Sequence, residues 1–242
     1  MHKVKKAIIM AAGFGSRMQP LTFETPKPLI EVNGQKMIES VIEGLHVNGI
    51  LEVYVVVGYL NEKFKYLEKK YQNLKLINNP YYDTANNISS LYVASEALSD
   101  DVIILDGDQI IKNNQILHAE FDYSGYSCSE IIAGTDEWLL QLDSNDIIKS
   151  CSRDGGQNGW RLYSISRWTK EDALKLREQV KYEFEKNQHS DIYWDDIPMF
   201  YYFTQYVLKG YKILAQDLKE IDSLAELAQV DSSYQEVLDN EK

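Results

Sequence analysis

The sequence predicts an α/β fold of the Rossmann-like kind, a mainly parallel but mixed sheet flanked by helices, on three observations. Short apolar runs alternate with helix-period segments through the first half of the chain. The first run ends in a small, glycine-rich loop rather than a hairpin turn. A later run ends in carboxylates, so polar chemistry gathers at strand ends, where open α/β sheets bind their ligands. At 242 residues the chain is long enough to bury the core of one such domain, 1–242, and no linker, repeat or low-complexity stretch divides it.

The runs at 7–10, 53–57, 74–77 and 102–105 read as strands. Between them, 37–46, 61–71 and 86–98 carry apolar residues at three- and four-residue spacing and read as helices. That alternation implies right-handed βαβ units and a parallel sheet covered on both faces. From about residue 130 the runs shorten, at 131–135, 138–142, 147–150 and 161–166, which predicts a partly antiparallel continuation. Helices are expected at 172–186 and 223–238, and a turn at 154–159.

A net charge of −12 argues against DNA or RNA as a partner, because counterion release would work in the wrong direction. It leaves room for a single nucleotide, where local cations decide. Cys128 and Cys151 and the four scattered histidines offer no zinc-ligand spacing. No apolar stretch approaches a membrane span and the start lacks a signal-peptide core, so the expectation is a cytoplasmic protein without a membrane partner.

Residues 7–30, AIIMAAGFGSRMQPLTFETPKPLI, carry the strongest signal. The loop Ala11, Ala12, Gly13, Phe14, Gly15 lets a nucleotide lie against peptide N–H groups, with positive φ available at both glycines. Arg17 and Lys27, the latter between Pro26 and Pro28, supply the fixed cations a triphosphate needs. A dinucleotide fingerprint would want glycine or alanine where Met18 stands, and the Gly-Lys-Ser/Thr of a P-loop is absent. Downstream, Asp106-Gly107-Asp108 places two carboxylates beyond a strand end, which suits a hard cation such as Mg2+.

The spacing Ala-Ala-Gly-x-Gly-Ser-Arg-Met, then Thr-x-x-x-Pro-Lys-Pro, resembles the nucleotidyltransferases that join a nucleoside triphosphate to a phosphorylated sugar or alcohol. The second half must choose the acceptor. Glu137-Trp138 and Tyr193-Trp194-Asp195 interleave rings with acids, a combination that attracts quaternary ammonium. The same aromatics could equally be core residues. The strings NNPYYDTANNISSLYVA (78–94), DEWLL (136–140), DIYWDD (191–196) and KEIDSL (219–224) resemble the bacterial CTP:phosphocholine cytidylyltransferases of the choline-incorporation pathway.

That resemblance implies conversion of CTP and phosphocholine to CDP-choline and pyrophosphate by direct in-line attack. It implies Arg17 and Lys27 as catalytic cations and Asp108 and Asp222 as Mg2+ ligands, with Asp106 behind them. Asn86, Asn87 and Ser90 would hold cytosine and ribose; alternatively, Asn86 caps a helix. Trp138, Tyr193 and Trp194 would form a choline cage, with Glu137 and Asp195 supplying negative charge. One departure is Ser164, where the family tends to carry glycine. A side chain there narrows the acceptor site and keeps phosphoethanolamine and 2-aminoethylphosphonate in view. A sugar-1-phosphate nucleotidyltransferase and a non-catalytic nucleotide sensor are the remaining alternatives.

Overall fold

The computed structural model describes residues 1–239. Its spine is β1 (Lys6–Ala11), with β2 (Glu52–Val57) parallel on one side and β3 (Leu74–Asn78) parallel beyond that. On the other side of β1, β4 (Val102–Asp106) is also parallel. Residues on β1 alternate between two cores. Ala7, Ile9 and Ala11 pack under α1 (Met37–Val47), whose Ile38, Val41, Ile42 and Leu45 face them. Ile8 and Met10 pack on the opposite face, against Ile88 and Leu91 of α3 (Ile88–Val93) and Leu176 of α4 (Lys170–Lys181). α2 (Tyr66–Lys70) covers the β2–β3 flank through Leu67. Burial on both faces is why these strands read as continuous apolar runs.

The sheet then becomes mixed. It adds β5 (Gly125–Glu130), β6 (Leu139–Leu142), β7 (Ile148–Ser152), β8 (Trp160–Trp168) and β9 (Lys209–Lys212). Among the described residues the strand order is β7-β6-β8-β4-β1-β2-β3, with β5 joined to β8 and β9 joined to β5. β8 runs antiparallel to β4 through Ile165–Trp168 and antiparallel to β6 at Trp160 and Arg161. A bridge between Ile147 and Lys209 brings β9 back to the start of β7. β9 lies so close to β5 that a Cβ on Gly125 would stand 2.0 Å from the Lys209 carbonyl oxygen, so only glycine fits.

Several expected elements are shorter or broken. The 61–71 helix is a 3-10 turn, Asn61–Phe64, followed by α2, and 86–98 is helical only in α3 with a 3-10 turn behind it. The 172–186 helix starts earlier, where the Thr169 hydroxyl accepts from Asp172 N, and loosens into a π turn at Tyr182–Lys186. The 223–238 helix breaks at Asp231 into α5 (Leu224–Val230) and α6 (Gln235–Asp239). The run 131–135 is not a strand; Thr135 makes only a bridge to Gly156. No described helix is long and apolar enough to cross a membrane.

Candidate active site

The carboxyl ends of β1 and β4 open onto one cleft. Gly15 has φ +67°, and a Cβ there would lie 2.9 Å from Lys27 Cβ, so the loop can rest on the Lys27 turn only as glycine. Gly13 needs no such conformation. Nothing in the protein stands within 4 Å of its missing Cβ, which leaves space for a ligand. Arg17 sits on the 3-10 turn Ser16–Met18, and Lys27 opens another, Lys27–Leu29. The Thr22 hydroxyl, on the intervening 3-10 turn Leu21–Phe23, donates to Gly15 O at 3.0 Å.

Lys27 Nζ lies 2.7 Å from Asp108 Oδ2 and 2.8 Å from Asp222 Oδ1, while Arg17 Nη2 reaches Asp222 Oδ1 at 3.1 Å. Burial opposes the Lys27 ammonium, but the two carboxylates outweigh it and hold its pKa above the usual lysine range. Burial likewise works to raise Asp222, yet Lys27 and Arg17 prevail and keep its carboxyl below the ordinary value. Asp106 is pushed well up, first by burial and then by the charge of Asp108. Asp222 is free for this cluster because Ser223 caps α5. Ser223 Oγ accepts from Glu226 N at 3.2 Å, and Glu226 Oε2 accepts from the N–H groups of Asp222 and Ser223.

Two adjoining cavities share Arg17, Asp106, Asp108 and Asp222 as a common wall. The larger, 380 Å³, is lined by Ala11, Ala12, Gly13, Gly15, Lys27, Asn87 and Ser90 among others. The smaller, 290 Å³, is lined by Glu137, Trp138, Ser164, Tyr193 and Glu220. Its two rings meet edge to face, with centroids 6.1 Å apart at 86°. Arg161 pairs with Glu220 at 2.6 Å and approaches Glu137 at 3.6 Å. Gln109 Nε2 donates to Ser164 Oγ at 3.0 Å and to Glu220 at 3.1 Å. Burial pushes the Glu220 carboxyl up to about 7, against the pull of Arg161.

Four sequence-predicted residues stand elsewhere. Trp194 is 2% exposed and packs between Tyr126 and Trp168, so it is a core ring and not a cage wall. Its neighbour Tyr193, 49% exposed, takes the outward position. Asp195 is buried beneath the site, away from both cavities, and burial raises its carboxyl to about 7. The Asn86 side chain is spent on the Asp191 carbonyl at 3.1 Å and on its neighbour's N–H. Phe14 lies outside the cleft wall with its ring against Tyr59 at 4.3 Å. Glu220, Arg161 and Gln109 were not foreseen. The first falls inside the string KEIDSL, and nothing local marks the other two.

Among the described residues no group of three or more His, Cys, Asp or Glu forms a metal cage. Asp108 and Asp222 nevertheless converge on one ammonium, so they fit an ion that takes one or two carboxylates and completes its shell with phosphates and water, the habit of magnesium.

The sequence profile of the MobA-like NTP transferase domain matches residues 7–139. A 2-aminoethylphosphonate cytidylyltransferase of Lancefieldella rimae is 37% identical over 229 residues, 94% of this chain and 92% of that one. A choline-phosphate cytidylyltransferase of Haemophilus influenzae is 33% identical over 221 residues, 90% and 92% of the two chains. Among solved structures, the CTP:phosphocholine cytidylyltransferase of Streptococcus pneumoniae superposes with a TM-score of 0.88 at 30% identity, covering 96% of this chain and 99% of that one. This establishes the nucleotide-diphospho-sugar transferase type of fold, with its mixed sheet flanked by helices.

Proposed function

The chain belongs to this family of MobA-like NTP transferases, and on that premise we propose that it is a cytidylyltransferase for a small phosphonate or phosphate bearing a primary ammonium, 2-aminoethylphosphonate in the first instance. The observation that carries the acceptor is Trp194. With that ring in the core, only Trp138 and Tyr193 remain to face a cation, and Trp138 already has the Arg153 guanidinium 5.8 Å from its centroid. Besides Leu162 and the shared Arg17, the rest of the acceptor cavity is acids and a hydroxyl, among them Glu137, Glu220 and Ser164. Hydrogen-bond acceptors reward an N–H donor, which trimethylammonium lacks.

In the reaction the acceptor's anionic oxygen attacks the α-phosphorus of CTP in line. The bond from that phosphorus to the bridging oxygen of the β-phosphate breaks, and pyrophosphate leaves. The attacking oxygen is already deprotonated near neutral pH, so no general base is needed and catalysis rests on position and charge. Lys27, kept protonated by its acids, acts as a fixed charge toward the α-phosphate and the incoming oxygen. Exposed Arg17 sits at the junction of the cavities, where it meets the β- and γ-phosphates. Asn87 Oδ1 accepts from Trp194 N at 2.8 Å, so the amide offers its NH2 to the acceptor edge of cytosine. When bound, magnesium at Asp108 and Asp222 supplies further neutralisation of phosphate charge.

Phosphocholine is the second reading, favoured by the perpendicular Trp138 and Tyr193 rings, which offer a face and an edge to a methylated cation. Pyrophosphate release distinguishes the two. CTP, UTP, ATP and dTTP are crossed with 2-aminoethylphosphonate, phosphoethanolamine, phosphocholine and glucose-1-phosphate. The highest kcat/KM is expected for CTP with 2-aminoethylphosphonate. A higher value with phosphocholine gives the case to the second reading, and turnover of glucose-1-phosphate alone refutes both.

A further inference from the structure

Away from the catalytic cleft, β5, β8 and β9 enclose a cavity of 230 Å³ whose wall includes Ser127, Arg167, Tyr211 and Lys212. Arg167 is fully buried. Its Nε donates to His118 O at 3.1 Å and its Nη2 to Ile116 O at 2.6 Å, while Nη1 has no partner. Ser127 is equally buried and its hydroxyl also has no partner. The backbone explains why both face one space. Arg167 lies opposite Gly125 in the β5–β8 ladder, Ser127 is two residues on from Gly125, and Ser127 pairs with Tyr211 on β9. The guanidinium carbon sits 5.3 Å from the centre of the Tyr211 ring.

A guanidinium taken out of water is costly unless a counter-charge meets it. Arg167 has no carboxylate partner: burial lowers its pKa to about 10, and what faces it is the Tyr211 ring and two backbone carbonyl oxygens. The nearby charges are committed elsewhere. Asp217 Oδ1 accepts from Asn113 Nδ2 and its Oδ2 from Leu214 N, and Lys212 is paired with Asp146 at 2.6 Å. What remains is one unmatched positive charge, one free NH2 group and one free hydroxyl at a space large enough for a tetrahedral ion.

We propose that this cavity binds a small inorganic oxyanion of phosphate size, held by Arg167 Nη1 and Ser127 Oγ. The anion completes the charge of Arg167 through charge-assisted hydrogen bonds and clamps β5, β8 and β9 together. The site is separate from the nucleotide cleft and serves no step of the transfer reaction.

The test is thermal denaturation against inorganic phosphate at constant ionic strength. It is run on the full chain carrying Arg17→Ala, so that phosphate in the catalytic cleft contributes little. A rise of about 5–10 °C, growing with the logarithm of phosphate concentration, is expected once phosphate exceeds its dissociation constant by about 100-fold. Ser127→Ala weakens phosphate by about 10-fold, and Arg167→Met removes the response. If Arg167→Met does not fold, Ser127→Ala decides. No rise with phosphate before substitution, or one that Ser127→Ala leaves unchanged, overturns the proposal.

Discussion

Lys27→Met removes the ammonium while keeping the stem that lies against Gly15. Asp108 and Asp222 both lie within 2.8 Å of that nitrogen, so without it two carboxylates face one another. At a separation of about 5 Å and an effective dielectric of about 20, their repulsion is about 3 kcal/mol. Both are about a third exposed, so rotation and water relieve part of it, and we expect a net loss of about 1–3 kcal/mol, or about 3–8 °C in Tm. The sign with pH follows from the lowered Asp222 carboxyl. The stability that Lys27 confers on it is present above the unfolded carboxylate value near 4 and is lost as pH falls through the folded value. Calorimetry from pH 7 downward should therefore show a gap between the two proteins that is full at pH 7 and narrows only as pH falls below about 4. In turnover, removing one charge-stabilising group should lower kcat at least about 100-fold. Near-normal kcat, or a Tm unchanged at pH 7, would refute the reasoning.

Asp108→Asn and Asp222→Asn should each abolish most pyrophosphate release while circular dichroism stays unchanged, and EDTA should do the same reversibly; full activity without divalent ion would sink the two-acid site. Trp194→Leu should cost about 2–4 kcal/mol in urea denaturation and shift the KM of acceptor and CTP alike, as a core ring does. Tyr193→Leu should instead raise acceptor KM about 5-fold and spare CTP. Asp195 keeps its proton in the fold between about pH 4 and about 7 while the unfolded chain has lost it, so the protein loses stability as pH rises through that window, on the order of 4 kcal/mol, and levels off above it. Asp195→Asn should flatten that slope, and parallel Tm-against-pH curves for the two proteins would contradict it.

The donor half of the site was legible because its chemistry is local. Gly15, Arg17 and the acids of Asp106-Gly107-Asp108 lie within a few residues of strand ends whose apolar runs announce them, and Lys27 is marked by the prolines on either side of it. The acceptor half was legible only in composition. Tyr193 and Trp194 are adjacent and chemically alike, and which of them turns outward depends on Tyr126 and Trp168 filling the other side. β5 was missed for a related reason. Gly-Tyr-Ser-Cys-Ser-Glu shows no apolar run, yet it is buried; Ser129 meets the Tyr163 hydroxyl at 3.0 Å inside, whereas the Ser127 hydroxyl has no partner. The broken helices follow from breaks that periodicity cannot see, such as Asp231 accepting from Asn33 N at 2.8 Å across the fold.

The segment that carries Tyr193 is stitched to the start of α3 at three points. Asn86 N donates to Ser190 O at 2.6 Å, Asn86 Nδ2 to Asp191 O, and Trp194 N to Asn87 Oδ1. Asn87 lines the larger cavity and Tyr193 the smaller, so this seam makes the walls of the two cavities a single mechanical part. Ordering one side therefore prearranges the other, and the substrates should be synergistic: the dissociation constant of the acceptor falls when CTP is bound, by the same factor as that of CTP when the acceptor is bound. Asn87→Ala cuts the stitch at its centre and should bring that factor toward one, a change visible by titrating each substrate calorimetrically with and without a non-reacting analogue of the other.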